Sequence, residues 1–176
     1  MRRLPATVPP PDDADALAGW MEAGTRLIAI GTLKAHKAFD RAIEALARLA
    51  PDLDAHLLIL GEGAERAALE ARAAELGVAA RVHLPGYRPD PARYLARAHL
   101  FVLSSLHEGF GNVILDALQM GVPVVATDCP SGPAEILEGG ALGTLVAVGD
   151  AGALADGIAA ELARDRDPAV LRARAA

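Results

Sequence analysis

Short apolar runs recur along the chain, each closed by glycine or proline and followed by a longer stretch with helical spacing. Leu27-Ile28-Ala29-Ile30, Leu57-Leu58-Ile59-Leu60 and Leu100-Phe101-Val102-Leu103 are the clearest. The pattern predicts strands over 26–30, 57–60, 81–87, 100–103, 122–127 and 143–146. The runs are apolar throughout rather than alternating, as in a sheet covered on both faces. Between them the spacing predicts helices. Residues 40–50 set Ala42, Ile43, Leu46 and Leu49 on one face ahead of Pro51. Residues 64–76 stop at Gly77, 91–98 open on Pro91, and 113–120 follow a glycine loop. Glu135 opens a short helix, where a carboxylate favours the helix dipole, and 151–163 carry Leu154, Ile158 and Leu162. Such alternation implies one α/β domain: a mostly parallel sheet of about six strands with helices on both faces. Ligands of these sheets bind beyond the carboxyl ends of the strands. The loops after Ile30, Leu60, Leu84, Leu103 and Thr127 therefore share one rim.

The stretch from Ser104 to Leu118 carries the strongest chemical signal on that rim. Gly109 and Gly111 let the backbone turn and approach a ligand. Asn112 is read as the N-cap of a helix whose Val113, Ile114, Leu115, Ala117 and Leu118 make it apolar almost all round, hence buried. A helix start behind a glycine loop offers unpaired N–H groups and partial positive charge, which suit phosphate. Two acids flank it. Glu108 precedes the glycines. Asp116 lies inside the helix, and a buried carboxylate there needs partners: ligand hydroxyls, a basic side chain or backbone N–H groups. The loop Gly31-Thr32-Leu33-Lys34-Ala35-His36-Lys37-Ala38-Phe39 adds two lysines, and Gly61-Glu62-Gly63 a third glycine turn.

Composition narrows the partners. The 176 residues are 52% hydrophobic, only 3% aromatic, and carry a formal net charge of −6. Few aromatics argue against stacked recognition of single strands, and the negative charge disfavours nucleic acid and anionic lipid at large. Phosphate binding must then be local. The single cysteine, Cys129, excludes an internal disulfide and a multi-cysteine metal site, and is read as a packed thiol. His36, His56, His83, His99 and His107 show no metal spacing, and His107 stands out only because it adjoins Glu108. No signal peptide or membrane-length apolar run is present, so the chain reads as cytoplasmic. Residues 1–21, with Pro9-Pro10-Pro11 ahead of three aspartates, read as a linker or a frayed N-terminus, and 165–176 as a charged C-terminal tail.

Glu108-Gly109-Phe110-Gly111-Asn112-Val113, with Asp116 after seven intervening residues, resembles the E-x7-E signature of retaining GT-B glycosyltransferases, glycosyltransferase family four. The continuation from Gly121-Val122-Pro123-Val124-Val125 through Asp128-Cys129-Pro130-Ser131-Gly132-Pro133 to Leu137 is similar to the same family. The loop from Gly31 resembles its phosphate-contacting motif G-R-L-x-x-x-K-G, with Lys37 on the lysine and Thr32 where the family has arginine. Asp116 stands where the family usually has glutamate. The likeness covers about residues 27–163. It implies a Rossmann-like, doubly wound domain over 22–164, the C-terminal, nucleotide-sugar-binding half of a GT-B fold.

The resemblance also implies roles. Glu108 would hydrogen-bond the sugar hydroxyls and Asp116 the ribose. Backbone N–H groups of Gly109, Phe110, Gly111, Asn112 and Val113 would hold sugar and phosphates. Lys37, with Gly31 and Thr32 in the same loop, would face the departing diphosphate. His83, Leu84 and Gly86 would lie near the base, with Tyr87 or Arg88 over it. The implied reaction transfers a hexose-type sugar from a UDP- or GDP-sugar with retention, and needs no cofactor and no metal, since no Asp-x-Asp motif is placed for one. The implied partner is an acceptor-binding N-terminal GT-B domain in the same or another chain, and peripheral membrane association through that half stays open. Without it, this chain alone is expected to bind the donor and to transfer little or nothing. Two other readings remain: a non-catalytic nucleotide-sugar-binding module or subunit, favoured by Thr32 and Asp116, and a truncated fragment with an exposed apolar rim.

Overall fold

The computed structural model describes residues 8–174. Six parallel strands form one sheet: β1 (Thr25–Ile30), β2 (Ala55–Leu60), β3 (Val82–Gly86), β4 (Leu100–Leu103), β5 (Val124–Thr127) and β6 (Thr144–Val146). Their order is β3-β2-β1-β4-β5-β6, the Rossmann-like α/β sheet expected. The helices are α1 (Ala18–Met21), α2 (Phe39–Arg48), α3 (Arg66–Glu75), α4 (Ala92–Leu95), α5 (Asn112–Gln119), α6 (Pro133–Ile136), α7 (Ala151–Leu162) and α8 (Pro168–Arg174). β5 starts two residues later than the apolar run suggests. Pro123 leads into it, and its carbonyl accepts from Phe101 N at 2.9 Å.

Side chains of a strand point alternately to the two faces, and here both faces are buried. Leu27, Ala29, Leu57, Ile59, Leu100 and Val102 pack with α2, α3 and α7. Ile28, Leu58, Phe101, Leu103, Val124 and Ala126 pack with α4, α5, α6 and Trp20 on the other side. That division explains why the runs read as solid apolar blocks. The helix over α7 is fixed at its start by Asp150, whose side chain accepts from Ala153 N at 2.9 Å, a cap of about 1 kcal/mol.

Both ends of the described chain are docked. Residues 8–21 pack against the domain rather than fraying. Trp20 is 0% exposed, and its indole N–H donates to Leu27 O at 2.9 Å. The tail returns through α8, with Leu171 buried in the core beneath α5. Glu161, whose side chain is 0% exposed, anchors the turn before α8: it accepts from Thr144 Oγ1 at 2.7 Å and pairs with Arg166. Parts of both terminal segments, residues 1–7 and 175–176, lie outside the described residues. No helix among the described residues is long and apolar enough to cross a membrane.

The strand order reverses between β1 and β4: from β1 the chain winds outward through β2 and β3, from β4 through β5 and β6. At such a switch point the two following loops part and leave a crevice. Those loops hold Lys37 and Glu108.

Candidate active site

Two hydrogen bonds tie the two loops at the switch point, and two more fix the acid loop itself. Ser104 Oγ donates to Lys37 O at 2.9 Å, and Leu106 N donates to His36 O at 2.8 Å. Thr127 Oγ1 donates to Ser105 O at 2.6 Å, and Ser105 Oγ donates to Glu108 Oε1 at 2.5 Å. The loop after β1 closes in a left-handed Ala38 (φ 46°, ψ 43°), a conformation costing an L-residue roughly 1–2 kcal/mol. Strain of this kind persists where surrounding bonds over-determine the backbone.

The result is a bidentate pair 71 residues apart in sequence. Lys37 Nζ lies 2.7 and 2.9 Å from the two Glu108 oxygens. The Lys37 side chain is 17% exposed and that of Glu108 8%. Directly after Glu108 the chain turns through Gly109 and a left-handed Gly111 into α5. Asn112 was expected to cap this helix. Gly111 is the cap instead, Asn112 is the first helical residue, and no side chain caps the start. The first amide N–H groups of α5 therefore keep their hydrogen-bonding capacity. A cation, a carboxylate and a positive helix end thus meet within one crevice. Beside them His36 and His107 stack, ring centroids 4.9 Å apart.

A groove of about 660 Å³ opens next to this crevice. Ile30, Gly31 and Thr32 form one side, Gly61 and Glu62 the next, and the loop Tyr87, Arg88, Pro89 the third. Gly31 joins groove to crevice: a Cβ built there would sit 3.4 Å from Lys37 Cε. Gly61 has to be glycine, because its Cβ would fall 1.9 Å from Gly31 O. Gly86 closes the β3 side, its carbonyl accepting from Gly61 N at 3.1 Å.

Several predicted residues have other surroundings than the sequence suggests. Asp116 was expected inside a buried helix and is exposed. Asn112, Asp116 and Gln119 share the open face of α5, while Ile114, Ala117 and Leu118 face the core. Partial desolvation still pushes the Asp116 carboxyl above its ordinary range. Leu84 is half-buried, and its carbonyl accepts from Arg66 Nη1 at 3.0 Å. His83 pairs in register with Leu58, short of the rim. Its Nε2 lies 3.0 Å from His56 Nδ1, and its ring packs beside Gly19. Cys129 is packed, and burial pushes its thiol up. Sequence reasoning did not single out Ser104, Ser105, Thr127 or Gly132, which hold the acid loop. Serine and threonine at the end of an apolar strand, followed by an acid, were the available signal. Among the described residues no three His, Cys, Asp or Glu side chains are grouped to hold a metal ion.

The His56–His83 pair makes stability depend on pH. Burial lowers the affinity of both rings for a proton; Arg81 adds to this at His56 while Asp54 opposes it, and at His83 the charge of His56 adds to it. Both folded-state values thus lie below the unfolded value near 6.5. The unfolded chain then binds more protons, so stability is full above about pH 6.5 and falls as pH drops through the depressed values. The melting temperature should decline from pH 7.5 to 5, with a shallower decline in His83→Gln. Equal slopes in the two proteins would contradict this assignment.

The likenesses to known proteins point the same way. A family model described as glycosyl transferases group 1 matches residues 24–164. Over 125 residues the chain is 41% identical to the lipopolysaccharide core biosynthesis glycosyltransferase LpsE of Rhizobium meliloti, covering 71% of this chain and 36% of that protein. It is 34% identical, over 80% of its length and 38% of the other's, to a Campylobacter jejuni enzyme named as a diphospho-undecaprenol 4-alpha-N-acetylgalactosaminyltransferase. The crystal structure of Anabaena HepE in complex with UDP and glucose superposes with a TM-score of 0.79 at 27% identity, over 92% of this chain and 44% of HepE. The chain spans less than half the length of the curated relatives it matches.

Proposed function

We propose that this chain, which belongs to the family of glycosyl transferases group 1, is the donor-binding half of a retaining GT-B glycosyltransferase. It would hold a UDP- or GDP-linked hexose, while an N-terminal GT-B domain, in the same or another chain, presents the acceptor. The observation that carries the reading is the Lys37–Glu108 pair beside the uncapped start of α5, at the switch point of the sheet. An ammonium and a row of backbone amides suit a diphosphate. An ionised carboxylate, which only accepts, suits sugar hydroxyls. The groove beyond Gly31 has room for a nucleoside, and the UDP and glucose in the HepE complex favour uridine.

Lys37 has three N–H donors and directs two at Glu108, which leaves one for a phosphate oxygen. During transfer the bond between the anomeric carbon and the diphosphate oxygen breaks, and its electron pair goes to the diphosphate. Lys37 and the α5 dipole stabilise that charge without having to reorganise. The acceptor hydroxyl oxygen forms the new bond to the anomeric carbon and passes its proton to the departing diphosphate oxygen. A non-catalytic donor-binding module is the second reading, favoured by Thr32 in place of arginine and by the exposed Asp116.

Calorimetric titration with UDP-, GDP- and ADP-sugars tests the proposal. The wild-type chain should bind at least one of them and, as these 176 residues stand, transfer nothing. In Glu108→Ala the advantage of UDP-sugar over UDP should vanish, because the lost contact is to the sugar, while UDP itself binds no worse. A chain that binds no nucleotide sugar, or that transfers efficiently by itself, would end the donor-half reading.

A further inference from the structure

The third side of the groove has an unusual support. The other two are held by backbone bonds: Gly31 N to Leu60 O at 3.0 Å, Leu33 N to Glu62 O at 3.0 Å and Gly61 N to Gly86 O at 3.1 Å. Residues 87–90 donate no backbone–backbone hydrogen bond among the described residues. Their position rests on the Arg88 guanidinium and, at the far end, on Asp90, whose Oδ2 accepts from Arg93 Nε at 3.1 Å. Arg88 Nη1 donates inward to Pro85 O at 2.6 Å and Tyr87 O at 3.1 Å. Its Nε and Nη2 donate to Asp13 Oδ2 at 2.7 and 2.6 Å. The other Asp13 oxygen accepts from Tyr94 Oη at 2.6 Å, on the helix that follows the loop. Every nitrogen of Arg88 is thereby engaged, through four of its five N–H groups, so this arginine holds the wall. Tyr87, 72% exposed, stands on that wall at the mouth of the groove.

Asp13 lies in the segment before β1, outside the sheet. That segment is fastened beside the wall at further points: Asp12 to Arg93 at 2.6 Å, Pro10 O to Arg93 Nη1 at 3.3 Å and Val8 O to Arg97 Nη2 at 3.2 Å. Burial alone would raise the Asp13 carboxyl, but the bonds from Tyr94 and Arg88 outweigh it and hold it below its ordinary range. Tyr94 is in turn pushed up to about 12, by burial and by Asp13. Both shifts fit a fixed ionised carboxylate rather than a chance surface contact.

We propose that Asp13 is a positioning residue for nucleotide binding: through Arg88 and Tyr94 it sets the wall that carries Tyr87 against the base. Residues ahead of the first strand thus belong functionally to the donor groove. This rests on the donor reading above. It adds that base recognition depends on an arm from outside the sheet, while the diphosphate subsite at Lys37 does not.

The experiment compares UDP with inorganic diphosphate, by calorimetry, on the full chain. Asp13→Asn should weaken UDP binding at least tenfold and leave diphosphate affinity within twofold, with the thermal transition still cooperative. Arg88→Lys keeps the charge and loses the fork, and should show the same split. The double variant should lose no more than the worse single one, since both break one chain of contacts. UDP affinity unchanged in Asp13→Asn overturns the inference and leaves the donor reading standing. UDP and diphosphate weakened alike also overturns it, because the arm then only supports the fold. A wild-type chain that binds neither ligand removes the donor reading, and this inference with it.

Discussion

Lys37→Ala should weaken UDP binding about 100-fold, roughly 2.7 kcal/mol, within the range for hydrogen bonds to charged groups. Two effects add. The cation that meets the diphosphate is lost, and Glu108 is unmasked. Its side chain is 8% exposed, and without Lys37 its only remaining hydrogen bond among the described residues is the Ser105 hydroxyl at 2.5 Å. An incoming diphosphate would then meet an uncompensated carboxylate in a partly desolvated crevice, where like charges repel far more than in water. The double variant Lys37→Ala/Glu108→Ala separates the two. It should recover about tenfold over the single variant, because the repelling acid is gone while the missing cation stays missing. Lys37→Arg keeps the charge in a planar fork and should bind between wild type and Lys37→Ala. Calorimetry on the four proteins suffices. Wild-type affinity in Lys37→Ala would show that the ammonium serves only to hold the acid loop.

That coupling was invisible in the linear chain, although each partner was not. The resemblance marked Lys37 and Glu108 separately. What joins them is the placing of β1 next to β4, which follows from a strand order that no local pattern encodes. The fold itself was legible because both faces of the sheet are buried, which turns each strand into a solid apolar block. Asp116 shows where that reading went too far. Val113 and Leu115 were counted with the core, but both are only half-buried. The polar residues Asn112, Asp116 and Gln119 at i, i+4 and i+7 mark an exposed stripe that was there to be read. The N-cap was misplaced for a related reason. A glycine in the left-handed region can end the loop and start the helix without a capping side chain, so Gly111 displaced the better capper beside it. The docking of residues 8–21 was hidden differently. Prolines and aspartates resemble a solvated connector until Arg88, Arg93 and Tyr94 arrive from 75 or more residues away to pair with them.

Gly132→Ala is expected to cost about 3 kcal/mol or more, and with it the donor site. The residue sits in the loop between β5 and α6 at φ 97°, ψ −63°, a region that L-residues reach only with strain. A Cβ there would lie 1.7 Å from Phe110 O and 2.5 Å from Phe110 C. These are backbone atoms of the loop that runs from Glu108 into α5, so no side chain can swing aside to make room. Either that loop shifts or the β5 loop does. For a domain of this size 3 kcal/mol corresponds to a fall of about 6–12 °C in melting temperature. Nucleotide affinity should drop in the same variant, because the displaced segment holds the amides at the helix start. Gly109→Ala, one residue before Phe110, is the control. Its Cβ would meet nothing within 4 Å, and its φ is not in the left-handed range. It should melt within about 1 °C of wild type, as surface substitutions usually do. Equal melting temperatures for the two variants would mean that the contact between the β5 loop and Phe110 is looser than described, and that the acid loop is held chiefly by its hydrogen bonds to Ser105 and Thr127.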